Sequence, residues 1–143
     1  MNTTEAGLIL TKASAYDRRT VGRGDCEAWA EAMTHGAIRL PDALEAVSQH
    51  YTESANWLMP VHVIQRVAQI RKARLAGAPV MIIPKDLHQA VERQWQKAFT
   101  EAVKDGEDDP HAVADQAMGI KRREEIEMRR DMSVLQMRPG RAS

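Results

Sequence analysis

The chain has 143 residues, and lysine plus arginine and aspartate plus glutamate each total 20, so its net charge is zero. That balance argues against a protein held on nucleic acid by bulk electrostatics, whose footprint is a basic excess. The length suits one compact domain with an appendage rather than two large cores. Cys26 stands alone, so a reducing compartment is the default expectation. MNTTEAGLILTKAS has no basic region ahead of its short apolar stretch, and no run reaches the roughly 18–20 apolar residues of a membrane span. A soluble cytoplasmic protein is expected, with no membrane contact.

In chain order, Thr3 or Thr4 is placed to cap a first helix reaching Tyr16, with Ala6, Ile9, Leu10, Ala13 and Tyr16 at helical spacing. YDRRTVGRGD breaks it, and Asp25 reads as the N-cap of a second helix with Trp29, Ala30 and Met33 on its apolar side. His35-Gly36 reads as its stop. Pro41-Asp42 opens a third helix carrying Leu44, Val47 and Tyr51. Thr52, Ser54 and Asn56 mark a turn, and Trp57 to Met59 run into Pro60.

Proline fits the first turn of a helix and not its interior, so a fourth helix is expected from Pro60. Trp57 to Met59 are expected to tuck into the core before it, and Trp29 and Trp57 to be core residues. Val61, Ile64, Ala68 and Leu75 make one stripe of the fourth helix, which Val63, Val67 and Ile70 widen. So broad an apolar arc places this helix at the centre of a bundle.

VMII lies between Pro79 and Pro84 and is expected to be extended. A fifth helix is expected over 85–103, with Leu87, Val91, Trp95, Ala98 and Ala102 on one side. DGEDDP interrupts it, and a sixth helical stretch is expected from His111 to Asp131 before a frayed RPGRAS end. The fold class is therefore all-α. About four helices form a small bundle (1–77), an apolar linker bounded by prolines follows (78–84), and a helical, partly flexible C-terminal arm completes the chain (85–143).

Chemistry is sparse. The chain holds no P-loop, its GRGD is too short for a dinucleotide fingerprint, and its five histidines and Cys26 show no metal-ligand spacing. No enzyme and no cofactor are expected. Arg66, Arg71, Lys72 and Arg74 gather in an acid-free stretch and are candidates for nucleic-acid contact. Cations also favour the C-terminal end of any helix, so any DNA contact is expected to be weak or indirect.

Two ordered stretches carry a resemblance: AYDRRTVGRGDCEAWAEAM, and DALEAVSQHYTESANWLMPVHVIQRVAQIRKAR. With Tyr16-Asp17-Arg18-Arg19, Trp29, His50-Tyr51, Trp57, Met59-Pro60 and Arg71 to Arg74, the region over about residues 10–76 resembles a known family. It is similar to the N-terminal domain of phage replicative-helicase loader/inhibitor proteins from actinobacterial phages and prophages. The resemblance implies a non-enzymatic DNA-replication accessory protein in the bacterial host cell. Its partner would be a hexameric DnaB-type helicase, with a phage origin-binding protein as a second one. In that reading the arm grips the helicase through Trp95, Phe99, Ile120, Arg122, Arg123, Ile126 and Arg130, since apolar anchors and arginine dominate interface energetics. The alternative is a helix-turn-helix-like DNA-binding regulator, with His62, Gln65, Arg66 and Gln69 facing the groove.

Overall fold

The structure, a computed structural model, describes residues 1–121. Six helices and no strand occur among them: α1 (Thr3–Asp17), α2 (Arg23–His35), α3 (Leu40–Glu53), α4 (Pro60–Ala76), α5 (Gln89–Asp105) and α6 (Pro110–Ala117).

Local chemistry sets the helix ends. Asn2, not Thr3 or Thr4, caps α1: its side chain accepts Glu5 N–H at 2.8 Å, and the Glu5 carboxylate accepts Asn2 N–H at 2.9 Å. Asp25 is likewise not the N-cap of α2. It sits one turn further in and accepts the N–H of Gly22, the true cap residue, at 2.8 Å. Three helices stop through a left-handed residue that lets the next N–H reach back to the last turn. After α2 that residue is Ala37 (φ 49), one place beyond Gly36, with Ile38 N–H bonded to Met33 O at 3.0 Å. After α5 it is Gly106 (φ 75) and after α6 Gly119 (φ 69), with Ile120 N–H bonded to Asp115 O at 2.8 Å. The expected sixth helix therefore ends at Ala117, and its remainder from 122 to 131 lies outside the described residues.

The chain divides into two compact units, Met1–Ala73 and Arg74–Ser143. In the first, α1 packs against both α2 and α3. Its Ala6, Ile9, Leu10 and Ala13 are all buried, and two alanines among them allow close helix approach. Trp29, Ala30, Met33, Ala43, Ala46, Val47, Leu58, Val63, Val67 and Ile70 complete the core. The central helix is thus α1 rather than α4. The phase expected for α4 is also corrected: Val63, Val67 and Ile70 face inward, while Val61 and Leu75 are exposed. Apolar residues surround that helix, so periodicity alone left its inward face open.

The second unit has its own core of Trp95, Phe99, Val103 and Ala114, with Ala78, Ile83, Leu87, Met118 and Ile120 against it. Trp95 is 0% exposed, and its indole N–H donates to buried Asp115 Oδ1 at 2.7 Å across α5 and α6. The His111 ring lies edge-on to Phe99 at 4.8 Å, and its Nε2 is 3.1 Å from both Val80 O and Ile82 N. This histidine anchors the apolar segment between Pro79 and Pro84, whose Val80 side chain is 82% exposed. Residues 85–88 precede α5 instead of opening it, because Asp86 turns the chain with φ 61. Within this unit α5, α6 and Ile83 pack against one another. Replacing Trp95 by alanine opens a cavity and leaves the Asp115 carboxylate without its indole donor. Trp95→Ala is expected to cost about 3–5 kcal/mol in chemical denaturation followed by circular dichroism. A loss below about 1 kcal/mol would contradict this placement.

Candidate functional site

The connection between α3 and α4, residues 54–59, contains no regular structure, so its backbone polar groups need other partners. Side chains from three helical termini supply them. His50 Nε2 lies 2.7 Å from Asn56 O, and Tyr51 Oη accepts Leu58 N–H at 3.2 Å. Arg19 donates to Leu58 O at 2.9 Å, and His62 Nδ1 accepts Met59 N–H at 3.0 Å. Ser54 Oγ accepts Asn56 N–H at 3.1 Å, a local turn typical of serine. Leu58 enters the core, while its neighbours on both sides stay outside. The loop is fixed at four points and presents what is left.

Arg19 organises this region. Arg18 adopts φ 57 at the end of α1 and folds the chain so that the Arg19 guanidinium returns onto Asp17. Arg19 Nε lies 3.0 Å from both Asp17 oxygens, Arg19 N–H reaches Asp17 Oδ1 at 3.1 Å, and a terminal guanidinium nitrogen closes the pair. Both side chains are largely buried, at 6% and 10% exposure, where an unpaired charge would be costly. The Tyr51 hydroxyl donates to Asp17 and accepts from Leu58 N–H and Arg19, which fills its bonding capacity. The bonds from Arg19 hold the Asp17 carboxyl down at about 2; burial opposes them and Tyr51 assists. Burial, and then the bond to ionised Asp17, push the Tyr51 hydroxyl up.

Aromatic rings cover the pair. The guanidinium lies 4.5 Å from the centroid of the Trp57 ring and 5.7 Å from that of Trp29. Tyr16 stacks on Tyr51 at 4.8 Å with 13° between the planes, and His50 stacks on His62 at 5.1 Å. Trp29 is buried, but Trp57 is 54% exposed, which corrects its assignment to the core. Met59 and Val61, next along the chain, are exposed as well, as is Tyr16. The ring of Trp57 has one side on a cation and the other in solvent.

The site residues expected from sequence fall elsewhere. Trp95 and Phe99 are corrected as partner anchors, because a partner cannot reach them without opening the second core. Ile120 is partly buried against that core, and Arg122, Arg123, Ile126 and Arg130 lie outside the described residues. Arg66 pairs with Glu53 at 2.9 Å, and Arg71 reaches Asp42 at 3.6 Å and Ala37 O at 3.3 Å. Arg74 donates to Lys104 O at 2.8 Å beside Gly106, lining an open cavity of about 390 Å³. Lys72 is exposed, as are Gln65 and Gln69. The basic stretch is thus largely engaged with its own chain. Among the described residues no group of three or more His, Cys, Asp or Glu is placed to hold a metal ion, and no helix is long and apolar enough to cross a membrane.

The depressed Asp17 carboxyl makes a pH prediction. Its folded-state value lies below its ordinary 3.8, so the stabilisation is complete above about pH 4 and disappears as pH falls through about 2. It amounts to on the order of 2 kcal/mol. Unfolding free energies of wild type and Asp17→Asn, measured between pH 5 and pH 2, are expected to converge as the pH drops. A constant gap would show that Asp17 is not the titrating group.

No family model, no curated protein and no solved structure matches this chain.

Proposed function

We propose that this chain is a non-enzymatic binding protein that engages another protein through the face carrying Trp57. The observation behind the reading is the contrast between Trp57 and its loop. The indole is half-exposed, yet the backbone around it is tied by Arg19, His50, Tyr51 and His62. Interfaces gain affinity from large side chains whose position is set before binding, and Trp, Tyr and Arg lead among their anchors. Exposed Met59, Val61 and Tyr16 add adaptable apolar contact area. A purely structural role is the competing explanation, with Trp57 as a lid that keeps water from the Asp17–Arg19 pair.

For the partner, the resemblance supplies a hexameric DnaB-type replicative helicase, which the chain loads at a phage origin or restrains, with an origin-binding protein as a second partner. In this reading α1–α4 form a four-helix bundle scaffold over 1–77, and the unit built from α5 and α6 is a second contact in the bacterial cytoplasm. Supporting it is a convergence: Tyr16, Asp17, Arg19, Trp29, His50, Tyr51, Trp57 and Met59, residues on which the resemblance rests, all meet at one site. For the helix-turn-helix reading, Gln65 and Gln69 are exposed, but His62 and Arg66 are engaged within the chain and the connection from α3 to α4 spans 54–59.

The test is titration calorimetry of the full chain with purified helicase. Trp57→Ala is expected to weaken the complex by about 30-fold, the effect of a hot spot worth about 2 kcal/mol, with little change in melting temperature. Unchanged affinity alongside lowered stability would leave Trp57 as a lid. Failure of the wild-type chain to bind would remove the helicase as partner.

A further inference from the structure

The loop before α4 hangs on two imidazoles in opposite roles. His50 Nε2 faces the carbonyl of Asn56, so this nitrogen carries a proton and donates. His62 Nδ1 faces Met59 N–H, so this nitrogen carries none and accepts. With α4 starting at Pro60, Met59 is the residue before the first turn and His62 the third residue within it. Glutamate or glutamine commonly closes a capping box from that position. Those side chains remain acceptors across the neutral and mildly acidic range, whereas imidazole does not.

Protonation of His62 must occur at Nδ1, the nitrogen that has no proton. It turns the acceptor into a second donor opposed to Met59 N–H, and it sets a cation at a helix N-terminus, where the backbone dipoles disfavour one. The groups around it give little compensation. From α3, the His50 ring stacks on it at 5.1 Å with 17° between planes, and Tyr51 lies edge-on behind His50 at 4.9 Å. Glu53 of α3, the acid nearest along that helix, pairs with Arg66 one turn further along α4. Asp17, from the end of α1, is committed to Arg19 and Tyr51.

We propose that His62 is a proton-operated latch on the loop that presents Trp57. Neutral His62 caps α4 and fixes Met59, and through Leu58 it keeps the Trp57 indole on Arg19. Protonated His62 releases Met59 N–H, while the bonds to Asn56 O and Leu58 O keep the rest of the loop attached. The opening is therefore local and changes the half-exposed aromatic face without unfolding the unit. Acidification operates the latch, because imidazole is the side chain that can take up a second proton in the mildly acidic range.

The experiment is amide NMR on the full chain between pH 8 and pH 5, comparing wild type with His62→Gln. It needs no partner, so its outcome is separate from that of the binding reading. In wild type, exchange of the Met59 amide, corrected for intrinsic pH dependence, is expected to accelerate about 10-fold or more between pH 7.5 and pH 5.5, and the Trp57 indole resonance to move with the same midpoint. That factor corresponds to about 1.4 kcal/mol, the scale of one hydrogen bond. In His62→Gln, whose side chain accepts without titrating, both signals are expected to stay flat. A wild-type Met59 amide that keeps its protection throughout would overturn the proposal, as would the same transition persisting in His62→Gln. If His62→Gln does not fold, Met59 protection in wild type decides alone.

Discussion

The arrangement of the loop before α4 depends on a buried guanidinium. Arg19 is almost completely enclosed, and a charge in that position is tolerable only with a carboxylate beside it and its N–H groups bonded. Asp17 provides the carboxylate from two residues away, and the left-handed turn at Arg18 makes the return possible. The guanidinium also donates to Leu58 O, in a different loop, and to the Tyr51 hydroxyl, and its flat face lies against Trp57. One side chain therefore ties the end of α1 to the residues before α4. A lysine keeps the charge but has neither the fork nor the flat face.

From this constraint follows a division of labour across three adjacent residues. Leu58 is drawn inward and contributes to the core, while Trp57 and Met59 are left outward. The polar ties hold the backbone in place, so the outward side chains are fixed in position. The second unit shows the same logic in a purely structural setting. There a buried carboxylate, Asp115, fixes the indole of Trp95, and the ring packs inward with no exposed edge. The two tryptophans differ in the partner each ring nitrogen or ring face finds, not in residue type.

The all-helical class and most helix positions were legible in the sequence because each rests on local signals. The spacing of Ala6, Ile9, Leu10 and Ala13 marks the buried face of α1, and Pro60 marks the first turn of α4. What sequence did not reveal depends on residues far apart in the chain. Trp57 reads as core until Arg19 is seen against it, and Trp95 and Phe99 read as surface anchors until α6 closes over them. The inward face of α4 was ambiguous because apolar residues occur all round it. Gly119 was a local signal that went unread: glycine followed by an apolar residue, Ile120, is the pattern of a helix stop whose next side chain returns to the core. At the candidate site, the motifs were visible as Tyr-Asp-Arg-Arg, His-Tyr and Trp-Leu-Met-Pro, but their meeting point was not.

The central claim is that Arg19, through its bonds to Asp17 and Leu58 and its contact with the Trp57 ring, holds the loop before α4 in place. Amide hydrogen exchange of Arg19→Lys at neutral pH tests it most directly. The account predicts about 10-fold or greater loss of protection at the Leu58 and Met59 amides, with α1 and α2 core amides unchanged, as expected when about 1.4 kcal/mol or more of local bonding is removed. Leu58 and Met59 amides as well protected in Arg19→Lys as in wild type would contradict it.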